Sequence, residues 1–565
     1  MDYKQSIAQL IAAASDLEEK SILPFLEVPP NPSMGDFAMP CFQLAKTLRK
    51  APQAIAADLA QNIQKPEYVS DIQVVGGYLN FFLSPHHIAQ DILSQIQQQG
   101  ENYGRSNEGM GRKVVMDYSS INIAKPFHIG HLSTTAIGNS LYRIYNFLGY
   151  QSVGINHLGD WGTQFGKLIA AYKLWGNEEA INRDSINEML KLYVRFHGEA
   201  EKDDSLNDMA RAWFKKIEEG DEEALGLFNW FKKLTLKEVQ KVYDLLDVKF
   251  DSYAGESFYN DKMQPIIDEL KEKHLLKLDE GAYVVSLDQF NLPPCIILKS
   301  DGATLYSTRD LAAAFYRKKH YDFYKCLYIV AYQQNLHFKQ WFKVVELMGY
   351  DWAKDLEHVA FGMVSLEDGT LSTRKGKVVF LEDVLKQSIE QTLEVINEKN
   401  PDLENKEQVA KDVGVGAVVF STLSNSRIKD ITFSFERVLN FDGETGPYVQ
   451  YTHARCASLL RRAPKEVWDA PVDFGAVADP EAFAAVKLLA EWGEVVQNAC
   501  HKNEPSIITR HIIHIAQAFN KYYYEKRIID DDFSATHARL LLAQCVKTVI
   551  KTGLYLIGVK APERM

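Results

Sequence analysis

Several features of membrane, secreted and zinc-binding proteins are missing from this 565-residue sequence. No apolar run approaches the roughly 18 residues that a membrane-spanning helix needs. The start of the chain places acidic residues beside a short apolar stretch, unlike a secretory signal peptide. The six cysteines are scattered and never form a C-x-x-C pair, which argues against disulfides and against a zinc cluster. We therefore expect reduced thiols, no structural zinc, no membrane partner and a cytoplasmic protein.

An excess of positive charge is also missing, because the formal net charge is −12. This value counts against a protein that binds DNA or RNA over its whole surface, although it permits a local basic groove on an acidic body. Internal repeats and low-complexity tracts are absent as well. The length exceeds what one compact core accommodates and indicates about three or four domains.

The order of helix and strand patterns predicts a multidomain α/β protein with three parts. Residues 1–105 form a small α/β domain, with helical patterns followed by strand-like alternation over 71–85. Residues 106–385 begin with strand, turn, helix and strand, which is typical of a parallel, Rossmann-type sheet. Charged helical patterns over about 177–247 predict an insertion in that domain, and apolar strand patterns resume at 281–287, 293–300 and 326–332. Residues 386–565 are predicted to be almost entirely helical.

The stretch "NIAKPFHIGHLSTTAIGNSL" raises the question of what His128 and His131 do. Such a pair can bind a metal, cap the following helix or donate to a phosphate, but no carboxylate or cysteine nearby supplies a third metal ligand. The pair lies between a predicted strand and helix, at the edge where parallel sheets bind ligands. Gly130 lets a flat base approach the backbone, and a helix N-terminus favours anions. This position favours nucleotide binding.

A second motif, "DGTLSTRKGKVVFLEDV", begins at Asp368. Its hydroxyl and cationic residues form either a solvated basic turn or a loop that closes over a polyphosphate. Beside a nucleotide site the second interpretation is favoured, with Ser372, Arg374 and Lys375 as ATP ligands.

These two motifs resemble the HIGH and second signature sequences of class I aminoacyl-tRNA synthetases. The segments "NHLGDWGTQFGKL", "SDGATLYSTRDLAAA" and "GETGPYVQYTHAR" are similar to segments of the arginyl-tRNA synthetases, as is the ending "LYLIGVKAPERM". They occur in order over nearly the whole chain. The resemblance implies an ATP-dependent arginine–tRNA ligase, with Mg²⁺ accompanying ATP, and L-arginine and tRNA(Arg) as the other substrates. It also implies a monomer.

The resemblance assigns the arginine-binding residues. Glu256 and Asp310 would bind the guanidinium group, Tyr306 would supply an aromatic wall, and Gln334 matches a further contact. Tyr306 precedes Asp310 by four residues, so on a helix both would face the same way. A second set matches positions that hold the amine and carboxylate of the amino acid, together with His128 of the first motif: Asp117, Ser120 and Asn122.

The implied reaction has two steps. The arginine carboxylate attacks the α-phosphate of ATP, and the 2′-hydroxyl of the terminal adenosine of the tRNA then accepts the arginyl group. His128 and His131 would stabilise the charge that develops on the phosphates. Members of the family characteristically require tRNA for the first step as well.

Three departures from the family pattern concern the motifs. Leu371 replaces a methionine, and Ile121 stands where proline is common. Thr373 and Arg374 occupy the place of the second lysine of the signature loop. In many arginyl-tRNA synthetases a lysine just before HIGH stands in for that residue, and Lys125 matches it as a catalytic candidate; the alternative is a solvated loop charge.

The tRNA-binding candidates also come from the resemblance. The helical C-terminal part would bind the anticodon, and the N-terminal part would contact a base of the D-loop. Most of the tyrosines at 522–524 are expected to belong partly to the core. The matched positions are Tyr78 and Asn80 in the N-terminal part, and Tyr448, Tyr451, Arg455, Tyr523 and Met565 in the C-terminal part. The segment "GVGAVV" near Gly414 lacks the third glycine of a dinucleotide-binding fingerprint and lies in a helical pattern, so no such site is predicted there.

Two other functions fit parts of the pattern. One is a class I synthetase for another amino acid, but the acids at Glu256 and Asp310 argue against glutamate, and the missing zinc ligands argue against cysteine. The other is a catalytically inactive tRNA-binding module. The intact HIGH sequence and the basic second motif count against it.

Overall fold

The computed structural model describes residues 3–123, 125, 127–300, 302–366, 379–441 and 443–565. The chain forms two compact units. The first comprises Met1–Gly100, Leu459–Ala490 and Gln517–Thr548, and the second comprises Glu101–Ser458, Glu491–Ala516 and Val549–Met565. In this described part, no helix is both long and apolar enough to cross a membrane.

Strands and helices alternate through the first two thirds of the chain, and helices dominate the remainder. The described strands are β1 (Phe37–Pro40), β2 (Val69–Val75), β3 (Tyr78–Leu83), β4 (Lys113–Asp117), β5 (Gln151–Ile155), β6 (Leu276–Asp279), β7 (Ala282–Val285), β8 (Cys295–Leu298), β9 (Lys325–Tyr328), β10 (Leu356–His358), β11 (Val364–Leu366) and β12 (Ile431–Phe433). The described α-helices are α1 (Tyr3–Ser15), α2 (Ala45–Leu48), α3 (Pro52–Asn62), α4 (Pro85–Gln99), α5 (Leu132–Phe147), α6 (Thr163–Trp175), α7 (Glu178–Arg183), α8 (Ser185–Ala200), α9 (Ser205–Glu219), α10 (Glu222–Leu246), α11 (Met263–Glu272), α12 (Tyr306–Tyr321), α13 (Asn335–Leu347), α14 (Leu381–Lys399), α15 (Lys406–Leu423), α16 (Phe435–Val438), α17 (Gly446–Arg462), α18 (Pro480–Ala490), α19 (Trp492–His501), α20 (Ser506–Glu525) and α21 (Phe533–Leu556).

A four-stranded parallel sheet is the centre of the second unit. Its strand order is β10-β9-β4-β5, and every neighbouring pair is parallel. The inner residues of β4 and β5 are buried, as expected for a sheet covered on both faces. The chain passes from β4 through α5 to β5 on one side of β4, and it later returns to β9 on the other side. This reversal creates a switch point at the carboxyl ends of β4 and β9. The predicted Rossmann-type sheet is confirmed.

The helical insertion predicted over about 177–247 corresponds to α7–α10. The three strand patterns that follow it divide between two sheets. The pattern at 326–332 contributes β9 to the parallel sheet, whereas the patterns at 281–287 and 293–300 form β7 and β8 of a separate antiparallel sheet with β6. Periodicity alone does not reveal which sheet a short apolar strand joins.

The first unit contains an antiparallel sheet of order β1-β3-β2. The strand-like pattern over 71–85 forms a hairpin, because Gly76 and Gly77 turn the chain between β2 and β3. Gly76 has a φ of +59°, a left-handed conformation that glycine adopts without a steric penalty.

Helices occupy most of the chain after residue 385, with β12 as a short exception that pairs with β11. Gly414 lies inside α15, where a Cβ would come within 2.8 Å of the Ile389 backbone on α14. This glycine permits α14 and α15 to pack closely, which gives it a packing role. The segment around it is helical, as its pattern predicted.

Candidate active site

The HIGH sequence forms a tight turn between β4 and α5 in which each histidine makes a local hydrogen bond. The Gly130 N–H donates to Nδ1 of His128 at 3.0 Å, and the His128 N–H donates to Nδ1 of His131 at 3.3 Å. The two rings lie 4.0 Å apart between centroids. The interpretation of the pair as helix caps is thus correct for the Nδ1 atoms, and it leaves both Nε2 atoms for another role.

The protonation of both rings follows from these contacts. Burial lowers the pKa of His128, and the positive charge of Lys125 lowers it further. Burial lowers the pKa of His131 to about 3, with a further contribution from His128. Nδ1 of the neutral His128 ring accepts from Gly130, so the proton of this ring lies on Nε2. Nδ1 of His131 lies 3.3 Å from both the N–H and the carbonyl oxygen of His128, and it accepts from the N–H in the tautomer that carries its proton on Nε2. In that tautomer the turn presents two neutral N–H donors, which suit the oxygens of a phosphate.

The strand before the second motif and the last part of the motif both pair with neighbouring structure. Before the motif, β11 pairs with β12; in its last part, the Ile129 N–H donates to the Val379 carbonyl at 3.2 Å and the Leu381 N–H donates to the Phe127 carbonyl at 2.9 Å. The last part of the motif is therefore attached to the HIGH turn. The predicted ATP ligands Ser372, Arg374 and Lys375 lie outside the described residues.

A strained turn follows β4 at Ser119 and Ser120. Their φ angles are +69° and +45°, which non-glycine residues rarely adopt. Three side chains hold Ser119: its N–H donates to Thr134 Oγ1 at 3.0 Å, its Oγ accepts from Thr135 at 2.9 Å, and the same Oγ lies 2.8 Å from the Tyr243 hydroxyl. The start of α5 and the insertion helix α10 thus fix the turn that carries the predicted residue Ser120.

Asp117 at the end of β4 is buried and already has two partners. Its Oδ2 accepts from the Arg317 guanidinium at 2.7 Å, and its Oδ1 accepts from the Ser120 hydroxyl at 2.7 Å. Arg317 is also buried and lies over the Tyr328 ring, 5.3 Å from its centroid. Nδ1 of His157 lies 3.3 Å from the same guanidinium. Asn122 follows Ser120 by two residues, and its backbone pairs with that of Gly159.

Three carboxylates gather beyond this turn: Asp160, Glu256 and Asp310. Burial is the main reason that the pKa of Glu256 rises to about 7; Asp160 and Asp310 raise it further, and Arg309 opposes them. Asp160 is fully buried and accepts from the Ser257 N–H at 2.9 Å, the Ser257 hydroxyl at 2.7 Å and Lys232 at 2.5 Å. Lys232 pairs with Asp160, whereas Glu256 forms no ion pair with any of the described residues, so this buried carboxylate can accept a guanidinium ligand.

The position of Glu256 depends on a close approach of two loops. The Glu256 N–H donates to the Leu158 carbonyl at 2.9 Å, and a Cβ at Gly255 would lie 2.5 Å from that same oxygen. A glycine is needed there because no side chain fits between the two segments.

The other predicted arginine-binding residues lie on α12 and at the start of α13. Tyr306 and Asp310 are one turn apart on α12, and the Tyr306 side chain is 68% exposed. Asp310 Oδ2 lies 2.6 Å from His337 Nε2 on α13. Gln334 is exposed and precedes His337 by three residues, so this contact brings the Gln334 turn beside α12.

Lys125 lies in the same environment. Burial lowers the pKa of its ammonium group, and the Glu256 carboxylate acts in the opposite direction. Its charge also lowers the pKa values of His128 and His131. Lys125 is therefore close to the HIGH turn and to the carboxylates, which a fully solvated loop lysine would not be.

The predicted anticodon-binding residues of α17 share one helix face. Tyr448, Tyr451 and Arg455 follow each other at intervals of three and four residues, and the Arg455 guanidinium lies over the Tyr451 ring, 4.9 Å from its centroid. The Tyr451 side chain is 42% exposed. Met565 packs against an apolar cluster that includes Ile396. This face combines aromatic and cationic groups, as unpaired bases require.

The predicted tRNA-binding residues of the first unit differ in exposure. Tyr78 is half-buried, with its ring edge-on to Phe42 at 5.5 Å. Asn80 is only 1% exposed, and neither polar atom of its amide has a partner among the described residues. Of the tyrosines at 522–524, the first is buried, Tyr523 is half-buried and the last is 75% exposed. A role for Asn80 in base recognition stays a prediction and requires the amide to become accessible.

Sequence patterns missed the residues that hold the site residues or their turns in position: Thr134, Thr135, His157, Asp160, Lys232, Tyr243, Arg317 and His337. His157 and Asp160 lie in a segment that carried the family resemblance, and Thr134 and Thr135 directly follow the HIGH sequence. Lys232 and Tyr243 belong to the charged insertion, whose pattern indicated only helices.

Comparison with known proteins places all of these elements in one family. Residues 1–83 match the arginyl tRNA synthetase N terminal domain, residues 91–435 match the catalytic domain of class I (R) tRNA synthetases, and residues 449–565 match the DALR anticodon binding domain.

Whole-length relatives carry the same name. The chain is 54% identical to the arginine–tRNA ligase of Alkaliphilus metalliredigens and 54% identical to that of Clostridioides difficile, with 100% of both chains covered in each case. Among solved structures, the arginyl-tRNA synthetase of Thermus thermophilus superposes with a TM-score of 0.80 at 25% identity over 100% of both chains. The Plasmodium falciparum arginyl-tRNA synthetase shares the fold with a TM-score of 0.79 at 22% identity, over 100% of this chain and 99% of its own.

Proposed function

The chain belongs to the class I arginyl-tRNA synthetases, and from that premise we propose which of its residues bind and activate arginine. The protein is an arginine–tRNA ligase, and its substrates are L-arginine, ATP and tRNA(Arg). The reaction needs a pocket for a guanidinium group, a site for the α-amine and carboxylate, and donors for the phosphates of ATP.

Glu256 and Asp310 bind the substrate guanidinium. The grouping of Glu256 with Asp160 and Asp310 supports this assignment, because burial and these neighbouring carboxylates raise the pKa of Glu256 to about 7. The arginine guanidinium supplies that charge. Tyr306 forms the exposed wall one turn away on α12, and Gln334 closes the side next to His337.

Asp117, Ser120 and Asn122 hold the other end of the amino acid. Asp117 and Ser120 are already hydrogen-bonded to each other, and the strained turn between them is fixed from two helices. A preorganised turn of this kind holds the α-carboxylate where it attacks the α-phosphate, and His128 lies at the same edge of the sheet.

His128, Gly130 and His131 bind ATP. When the arginine carboxylate oxygen forms its bond to the α-phosphorus, the bond to the bridging oxygen breaks and pyrophosphate leaves. Negative charge develops on the phosphate oxygens, and the two Nε2–H groups stabilise it without any change of their own protonation. Ser372, Arg374 and Lys375 contribute from the second motif, which follows β11 and precedes α14. Mg²⁺ enters as part of the ATP substrate.

Lys125 is a third catalytic group. It lies near both histidines and Glu256, and its ammonium stands in for the second lysine of the signature loop, whose place Thr373 and Arg374 occupy. We assign it to the departing pyrophosphate.

The 2′-hydroxyl of the terminal adenosine of tRNA(Arg) then attacks the arginyl carbonyl and releases AMP. Tyr448, Tyr451, Arg455, Tyr523 and Met565 bind the anticodon, and Tyr78 and Asn80 contact the D-loop. The proposed functional domains remain 1–105, 106–385 and 386–565. We also propose a monomer that acts in the cytoplasm, needs no zinc and binds neither DNA nor a membrane.

The variant Asp310→Asn tests the pocket. It removes one carboxylate from the guanidinium and should raise the KM for arginine in pyrophosphate exchange by on the order of 10²-fold, with a small effect on the KM for ATP. The exchange is measured with tRNA present and absent. Asp322→Asn is the matched control, because Asp322 ends the same helix with an exposed side chain. An unchanged KM for arginine in Asp310→Asn would refute the pocket assignment.

A further inference from the structure

A cavity outside the proposed active site lies on the outer side of α13. It has a volume of about 860 Å³ and is bounded by α13, by Phe290 and Leu292 after β7, and by the turn Asp351–Asp355. This volume falls within the range of about 300–1,000 Å³ that is usual for small-molecule sites. None of the residues assigned above lines it.

The floor of the cavity is apolar and rigid. Phe290, Leu292, Phe342 and Tyr350 are partly buried and pack against the core of the second unit. The Phe342 ring stands edge-on to the buried Trp341 at 4.4 Å. These aromatic groups are therefore held in place before any ligand arrives.

Lysines form the rim. Lys339 and Lys343 lie with Phe342 on one face of α13, and Lys354 faces them from the turn Asp351–Asp355. Lys343 is already engaged, because it forms an ion pair with Glu346 at 2.5 Å and lies 4.6 Å from the Phe290 ring centroid.

The other two lysines are available. Lys339 and Lys354 are exposed, and among the described residues neither forms a hydrogen bond or a close ion pair. The lining holds three lysines and two carboxylates, Glu346 and Asp351. It is therefore locally basic, although the net charge of the chain is −12.

We propose that this cavity is a second binding site, specific for a nucleoside phosphate. Lysine ammonium groups bind phosphate as point charges, and the aromatic side chains of the floor offer an apolar surface to a base. Gly349 adds bare backbone to the wall, since nothing lies within 4 Å of the position of a Cβ there. Glu346 and Asp351 accept hydrogen bonds from ribose hydroxyls or base amino groups. The ligand is either a free mononucleotide or an unpaired nucleotide of the bound tRNA.

The test compares the full-length protein with the double variant Lys339→Ala/Lys354→Ala, and with Lys319→Ala as the matched control for loss of an exposed lysine. The catalytic site is first saturated with a non-hydrolysable sulfamoyl analogue of arginyl-adenylate, and AMP is then titrated by calorimetry. If the ligand is a free nucleotide, the wild type and Lys319→Ala bind AMP, and the double variant binds it at least about tenfold more weakly.

A second arm addresses the tRNA. If the ligand is a nucleotide of tRNA, AMP does not bind, but the double variant binds tRNA(Arg) more weakly than Lys319→Ala does. The slope of log K against log salt then falls by about 0.7 for each lysine lost from a phosphate contact. If AMP fails to bind and the tRNA affinity and slope match those of Lys319→Ala, the proposal is wrong. Arginine binding to the protein without tRNA, measured by calorimetry, should be unchanged in the double variant in every case, which separates this outcome from a failure of the arginine pocket tested at Asp310.

Discussion

The guanidinium of Arg317 donates to the carboxylate of Asp117 at 2.7 Å, and both side chains are buried beneath the proposed amino-acid site. An internal arginine thus occupies the carboxylate at the end of β4. A second guanidinium would need both carboxylate oxygens for a bidentate pair, and Arg317 already occupies Oδ2, whereas an α-ammonium group needs only Oδ1, which also accepts from Ser120. This pair therefore favours one orientation of the substrate, with its guanidinium toward Glu256 and Asp310.

The Arg317–Asp117 pair predicts a large stability loss on removal of one partner. Arg317→Met leaves a buried, uncompensated carboxylate, so the free energy of unfolding should fall by about 3–5 kcal/mol in urea denaturation. The double variant Arg317→Met/Asp117→Asn removes both charges and should recover most of that loss. If the double variant is as unstable as the single one, the destabilisation comes from lost packing and not from the buried charge.

Glu256 predicts a pH-dependent affinity for arginine. Its folded pKa of about 7 exceeds the ordinary value of 4.5, so between these pH values the folded protein holds a proton that the unfolded chain has released. The contribution of Glu256 to stability therefore falls as the pH rises from about 4.5 to about 7. Arginine requires the ionised carboxylate, so its affinity should rise over the same window and level off above about pH 7.

Calorimetry in two buffers of different ionisation enthalpy measures this effect directly. Arginine binding below pH 7 should release up to about one proton, and Glu256→Gln should abolish the release. Release that persists in Glu256→Gln would assign the proton to another group and refute the role of Glu256.

For the two histidines we expect a larger effect on the rate of activation than on substrate binding. His128→Asn retains an acceptor for the Gly130 N–H but loses the Nε2 donor, and pyrophosphate exchange should slow by on the order of 10²–10³ with little change in the KM for arginine. His131→Asn should behave similarly. Because burial holds the pKa of His131 at about 3, its titration should not appear in the rate profile between pH 6 and 8. A loss of activity that tracks lower thermal stability would indicate a capping role alone.

Tyr243 predicts coupling between the insertion and the catalytic turn. Its hydroxyl lies 2.8 Å from Ser119 Oγ and accepts from Asn156 at 2.8 Å, and all three groups are buried. Tyr243→Phe leaves these partners unsatisfied and should cost about 1–3 kcal/mol in the free energy of unfolding. Since Ser120 follows Ser119 directly, kcat for arginine activation should also fall. Phe228→Leu on the same helix is the control, as a core change without a hydroxyl, and an equal kcat loss there would remove the special role of Tyr243.

The sequence by itself determined the family, the parallel sheet and the helices over about 177–247, and it supplied the site residues that are proposed above. These follow from local information, because a motif such as HIGH and the spacing of apolar residues are both contained in short stretches of chain. The one-turn relation of Tyr306 and Asp310 on α12 follows from the same kind of information.

Only the tertiary structure decided which distant groups meet. Arg317 lies 200 positions from Asp117, and the Tyr243 hydroxyl lies 124 positions from Ser119. It also separated β7 and β8 from the parallel sheet and assigned the Nδ1 atoms of HIGH to the backbone. Burial and charge neighbours, which set the pKa of Glu256, arise when separate segments pack together. No periodicity within one segment encodes them, because the same residue pattern is compatible with many partners until the fold brings one of them within hydrogen-bond distance.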